Sequence, residues 1–200
     1  MKRLIMLFVV LATMCGTASA QGGLLDALKG AASGIVDEVT GGKATQMMLP
    51  GTWSYSSPAL RLVSDNVLSN VASSAVTQGI ESKLSTVYQG VGIKPGSCSY
   101  TFNNDGSFTA VIGKHNLSGT YTYDATSHLI ELKYSTKLLN LGTMKGYAYI
   151  DGAALELVFD CSKILNFVTK LGSQSAQLGS ITALVGNYDG MMIGFGFNKK

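Results

Sequence analysis

From position 98 onward the chain alternates between apolar and polar residues. Tyr100 and Phe102 are interleaved with Ser99 and Thr101, and Phe108, Ala110 and Ile112 with Ser107, Thr109 and Val111. Leu117, Gly119, Tyr121 and Tyr123 then alternate with Ser118, Thr120 and Thr122, and Ile130, Leu132 and Tyr134 with Leu129, Glu131 and Lys133. A period of two puts successive side chains on opposite faces, so each run predicts a strand with one buried face. The breaks between runs are turn chemistry: Asn103-Asn104-Asp105-Gly106, then 113–116, then 124–127. Residues 143–150 and 153–159 predict a hairpin about Asp151-Gly152. The last strand, 190–199, sets Met191, Ile193, Phe195 and Phe197 against Met192, Gly194 and Gly196.

Elsewhere the period lengthens to that of a helix. Leu24, Leu28, Ala31, Ile35 and Val39 form one narrow stripe that ends at Gly41-Gly42, so residues 21–48 predict a helix and linker, the helix either loosely docked on the barrel or mobile. Residues 51–57 predict a first strand, with Pro58 ending it. A helical insertion is expected over 59–89, its face marked by Leu60, Val63, Val67 and Val71, then by Ile80, Leu84 and Val87 after a break at Gly79. Helical signals return over 161–186. The expected fold is mainly β with helical insertions. Eight sequential antiparallel strands over 49–200 form an up-and-down barrel, with a helical insertion after strand 1 and helices before the last strand. Gly51 and Trp53 are its structural anchor: the only tryptophan opens the first strand, where an indole plugs one end of a barrel.

Residues 1–20 read as an export signal. Lys2 and Arg3 precede an apolar run over 4–11 that is too short to span a bilayer, and Ala18-Ser19-Ala20 offers a cleavage site. The chain is expected in the periplasm or at the outer membrane. A lipid anchor at Cys15 is the less favoured outcome, because Met14 stands where such a site carries a small residue. Without Lys2 and Arg3 the formal charge drops from +3 to +1, and only Lys199-Lys200 cluster, so a nucleic-acid binder's electrostatic footprint is missing. No later apolar run suits a transmembrane helix. Cys98 and Cys161 remain, either as one disulfide or as two buried thiols.

Gly51-Thr52-Trp53 at the head of an eight-strand meander resembles the lipocalin-like superfamily, most closely its exported families of unknown function from Gram-negative anaerobes. The resemblance implies an up-and-down barrel and a leaning toward small apolar ligands. Typical lipocalins place a late arginine over the tryptophan. Here the last strand offers only Lys199 and Lys200, and the mature chain's one arginine is Arg61. The Thr-Asp-Tyr motif of typical lipocalins has only a faint counterpart in Asn187-Tyr188-Asp189.

No residue set points to catalysis. His115 and His128 fall at turns with no second ligand at metal spacing, so no metal or cofactor is expected. The carboxylates are scattered, and no Gly-x-Ser-x-Gly elbow occurs. The aromatic residues on the predicted inward face are the candidates for a site: Tyr100, Phe102, Phe108, Tyr121, Tyr123, Tyr134, Phe195 and Phe197. They either line a cavity for a small apolar ligand or fill the barrel outright. The expected function is accordingly that of a non-enzymatic exported barrel holding such a ligand. The alternative is a cell-envelope structural or interaction protein with a filled core.

Overall fold

The structure, a computed structural model, describes residues 40–64, 67–70, 75–135, 141–172 and 190–200. The expected signal over 1–20 with Cys15, the stripe from Leu24 to Val39, the later half of the helical signals over 161–186 and Asn187-Tyr188-Asp189 lie outside them.

Each alternating run is a strand. After β1 (Gly51–Ser64) and β2 (Val67–Asn70) come β3 (Cys98–Phe102), β4 (Ser107–Ile112), β5 (His115–Asp124), β6 (Leu129–Tyr134), β7 (Thr143–Asp151), β8 (Ala154–Asp160) and β9 (Met191–Lys199). From β3 to β9 every strand pairs antiparallel with the next, and β1 pairs with both β3 and β9. Trp53 to Leu62 run against Lys199 to Met191, so the meander closes into an eight-stranded up-and-down barrel. β2 is a short ninth strand folded back on the end of β1, with Arg61 opposite Asn70 and Ser64 opposite Val67.

The expected helical insertion over 59–89 is corrected. β1 continues through Pro58 to Ser64, and the helix starts only at Ala75. Proline is tolerated here for a geometric reason. The Lys200 amide donates to Thr52 O, so the even-numbered end of β9 carries the ladder bonds to β1. Pro58 faces Phe195, an odd position, and on its other flank the pairing with β3 has stopped at Ser54. The amide that proline lacks has no ladder partner to lose. A bulge also sits between Tyr55 and Ser57, where two residues of β1 oppose one of β9. It shifts the inward phase, so Trp53 and Tyr55 face the core before it and Leu60 after it. A strand whose phase changes midway does not show a clean period of two, and the helical reading of Leu60 and Val63 comes from that.

Among the described residues three helices pack against the barrel. α1 (Lys43–Met48) lies against β7, where the Ile150 amide donates to Thr45 Oγ1 at 2.9 Å. α2 (Ala75–Gly90) buries Ile80, Leu84, Val87 and Tyr88, a stripe at spacings of four, three and one. α3 (Cys161–Lys170) is capped by Asp160, whose carboxylate accepts from the Ser162 amide, and buries Ile164, Phe167 and Val168.

Candidate functional site

The barrel interior is the candidate site. At the end beside α1, Trp53 is 0 % exposed and its indole Nε1 donates to Leu49 O at 2.7 Å. Lys199 Nζ stands 5.0 Å from the centre of the indole ring, above its face, and donates to Met48 O at 2.9 Å. Lys199 thus sits where the lipocalin resemblance places an arginine: a cation on the tryptophan face that also ties down the preceding loop. Burial lowers its ammonium from the ordinary lysine range. Gly51 has φ +135°, and a Cβ there would come within 3.2 Å of Lys199 Cε, so the glycine gives the lysine its path.

Above the tryptophan the interior is aromatic. Tyr100 stacks on Phe102 at 5.7 Å and meets Phe197 edge-on at the same distance. Phe108 meets Tyr134 edge-on at 5.2 Å. Gly119, opposite Phe108, leaves the space that ring occupies: a Cβ there would lie 2.7 Å from it. The Tyr100 and Tyr134 hydroxyls bond to each other at 2.7 Å inside the core, which satisfies both.

Six of the eight aromatic residues expected to face inward are therefore buried together: Tyr100, Phe102, Phe108, Tyr134, Phe195 and Phe197. Tyr121 and Tyr123 share their phase but are half-buried at the rim. Tyr121 donates to Asn103 O, and the Tyr123 hydroxyl lies 3.2 Å from His128 Nδ1. β5 is longer than its neighbours' core rows, so its last inward positions pass the end of the packed interior.

Three rings outside the expected eight complete the set, Tyr55 from the strand of Trp53 and two from helices. Tyr55 touches Tyr88, Phe195 and Phe197 at 6.1–6.3 Å. Tyr88, from α2, is 0 % exposed, lies 4.9 Å from Phe195 and donates to Gly194 O at 3.2 Å. Phe167, from α3, reaches Tyr134 and Phe195. Their signal is helical spacing, Tyr88 four residues after Leu84 and Phe167 three after Ile164, but spacing does not reveal that a helix points into a barrel. Burial pushes the hydroxyls of Tyr55, Tyr88, Tyr100 and Tyr134 above the ordinary tyrosine range, so all four are neutral at physiological pH.

Among the described residues the interior holds one small gap beside these rings. An apolar gap of about 10 Å³, the volume of one water, lies between Tyr55, Cys98, Tyr100, Phe195 and Phe197 and is closed by Ile93 and Ile112. The candidate disulfide is corrected: Cys98 and Cys161 are separate thiols. Cys98 lies beside Gly92 O at 3.9 Å, close to Tyr55 and Tyr100, whereas Cys161 belongs to the surroundings of Tyr88. Burial raises the Cys161 thiol to about 11. Among the described residues no three His, Cys, Asp or Glu side chains converge as a metal site would need, and none of the described helices is long and apolar enough to cross a membrane.

No curated protein matches the chain. A solved structure of a DUF4847 family protein from Bacteroides vulgatus ATCC 8482 is similar at 12 % identity and a TM-score of 0.37, over 78 % of this chain and 97 % of that one. The sequence profile of the lipocalin-like domain DUF4923 matches residues 25–199. With that match spanning the closed eight-stranded barrel and its tryptophan plug, the chain belongs to the lipocalin-like DUF4923 family.

Proposed function

We propose that this chain is an exported, non-enzymatic barrel that works through its outer surface, its interior being given over to stability. The observation that carries the reading is how closely the described interior residues pack. A gap of about 10 Å³ holds no organic ligand, whereas small-molecule sites run to several hundred Å³. Tyr88 and Phe167, delivered from two helices, pack against Phe195 within the same buried core. Withdrawing α2 would expose Ile80, Leu84, Val87 and Tyr88, at about 1.5–3 kcal/mol each. A small ligand would have to supply that much before gaining any net affinity. The Tyr88, Tyr100 and Tyr134 hydroxyls are neutral and engaged with backbone or with one another, which suits packing better than proton transfer.

Native mass spectrometry of the chain purified from the compartment to which it is exported tests this. The expected spectrum shows the bare chain. A stoichiometric apolar adduct that survives exchange would overturn the reading.

A second reading, a small apolar ligand held inside, is favoured by one feature. The gap is lined wholly by apolar and aromatic side chains and abuts Tyr88's neighbours Tyr55 and Phe195. In that case the adduct would be an aromatic or aliphatic molecule, and its binding would release α2.

A further inference from the structure

Three residues on the outer face of the barrel are buried although they point away from its core. Ala59 is 5 % exposed, Tyr149 8 % and Val158 0 %. The register sets them side by side: Ala59 lies opposite Gly194, Gly194 opposite Val158, and Val158 opposite Tyr147. Among the described apolar residues only Tyr147 and Met192 pack against them, and both belong to the same wall. Arg61 crosses the patch, its guanidinium 3.9 Å over the Tyr149 ring and its Nε 2.6 Å from Glu156. Strand side chains stand roughly perpendicular to their sheet, so neighbours in one sheet flank a valine without capping it. Complete burial of Val158 calls for cover from above.

We propose that this wall is a docking surface for the chain's own residues 24–39. Their stripe of Leu24, Leu28, Ala31, Ile35 and Val39 has the narrow, partly alanine face that suits the shallow groove where Gly194 lies between Ala59 and Val158, and Gly196 between Ser57 and Glu156. The point of entry agrees. Thr40 accepts from the Ala44 amide at the start of α1, and Gly42 lies against the backbone of Ala125. Ala125 begins the turn whose His128 ring stacks on Tyr149 at 4.8 Å, so residue 39 arrives at the lower edge of the patch. As a helix, residues 24–39 reach ~24 Å. The patch runs ~13 Å along β9, four residue rises from Gly196 to Met192, so the stripe is long enough to span it. The other apolar stripe outside the described residues, Leu178, Ile181, Leu184 and Val185, belongs to the connection from α3 to Met191, which joins the wall beyond Met192 and not at the edge marked by Gly42 and Ala125.

The test uses the full chain and the peroxide oxidation rates of Met192, half-buried in the patch, and Met144, inside the barrel, read by peptide mass spectrometry. Leu28→Glu with Ile35→Glu is expected to raise the Met192 rate about tenfold and leave Met144 unchanged. Gly30→Glu with Ser33→Glu, on the opposite helix face, is expected to change neither. A Met192 rate within about twofold of the unaltered chain would overturn the proposal. So would protection that depends on protein concentration, which would make a second copy the occupant, or the same gain from Leu178→Glu with Ile181→Glu. Should the stripe variant unfold the barrel and expose Met144 too, a photo-crosslinking residue at position 35 of the otherwise unaltered chain decides the matter. Capture of Tyr147, Tyr149 or Met192 within the same chain supports the docking, and capture elsewhere defeats it.

Discussion

Trp53 shows how much a single side chain can organise. Its ring is buried completely, its one polar atom has a backbone partner, and Lys199 covers its face. Trp53→Ala should cost about 3–5 kcal/mol in urea unfolding, through lost transfer energy and the cavity left behind. A loss under about 1 kcal/mol would mean that the indole is not the plug. The Tyr100–Tyr134 pair carries a different signature. Tyr100→Phe leaves the Tyr134 hydroxyl buried without its partner and should cost about 1–3 kcal/mol, while the double change to phenylalanine should recover much of that. A double-mutant cycle in chemical denaturation measures the coupling. The importance of Trp53 is legible in the sequence, because one tryptophan beside a glycine at the head of a strand has few other uses. The partnership with Lys199 is not. It joins residues 146 positions apart, and only closure of the barrel brings them together.

At the scale of elements, β1 and α2 decide the shape of the interior. The bulge at Ser56 lets one strand serve two registers, with Trp53 and Tyr55 inward below it and Leu60 inward above it. Deleting Ser56 would remove the bulge and leave Leu60 inward opposite Ile193, because Ser56 is the one residue by which β1 exceeds β9 there. The expected result is a retained cooperative thermal transition, checked by near-ultraviolet circular dichroism, and its loss would show that the bulge itself is required. α2 acts as a plug whose deepest point is Tyr88. Tyr88→Ala should open a dry cavity continuous with the present gap, and that cavity should bind benzene-sized apolar probes. The readout is a rise in melting temperature with added probe in the variant and none in the unaltered chain. The seven strands from 98 onward are plain from their alternation, because each has one wet face and one dry one. β1 reads too short, because its proline and its bulge break the local pattern at positions where the sheet tolerates both.

Across the whole molecule, four interior tyrosines kept neutral by burial set the response to alkali. A tyrosine whose folded-state value is raised above its unfolded value of 10.0 gives its full stability below pH 10 and loses it as pH climbs toward the folded value. For Tyr88, Tyr100 and Tyr134, the most deeply buried, the slope above pH 10 should be about 1.4 kcal/mol per pH unit each. Urea midpoints at a series of values from pH 8 to 11 should be level at first and then fall, and a flat series would show that these hydroxyls reach solvent. The sequence by itself determined the strand order, the turns, the tryptophan anchor and the family resemblance, because these rest on local period and on residue type. The sequence also implied the closure of first strand on last; only the tertiary structure decided that β1 runs on past Pro58 along β9, that two helices reach into the barrel, and that Cys98 and Cys161 stay apart. Each of those outcomes depends on which distant surfaces meet once the chain has curved round on itself, and a one-dimensional pattern carries no record of that meeting.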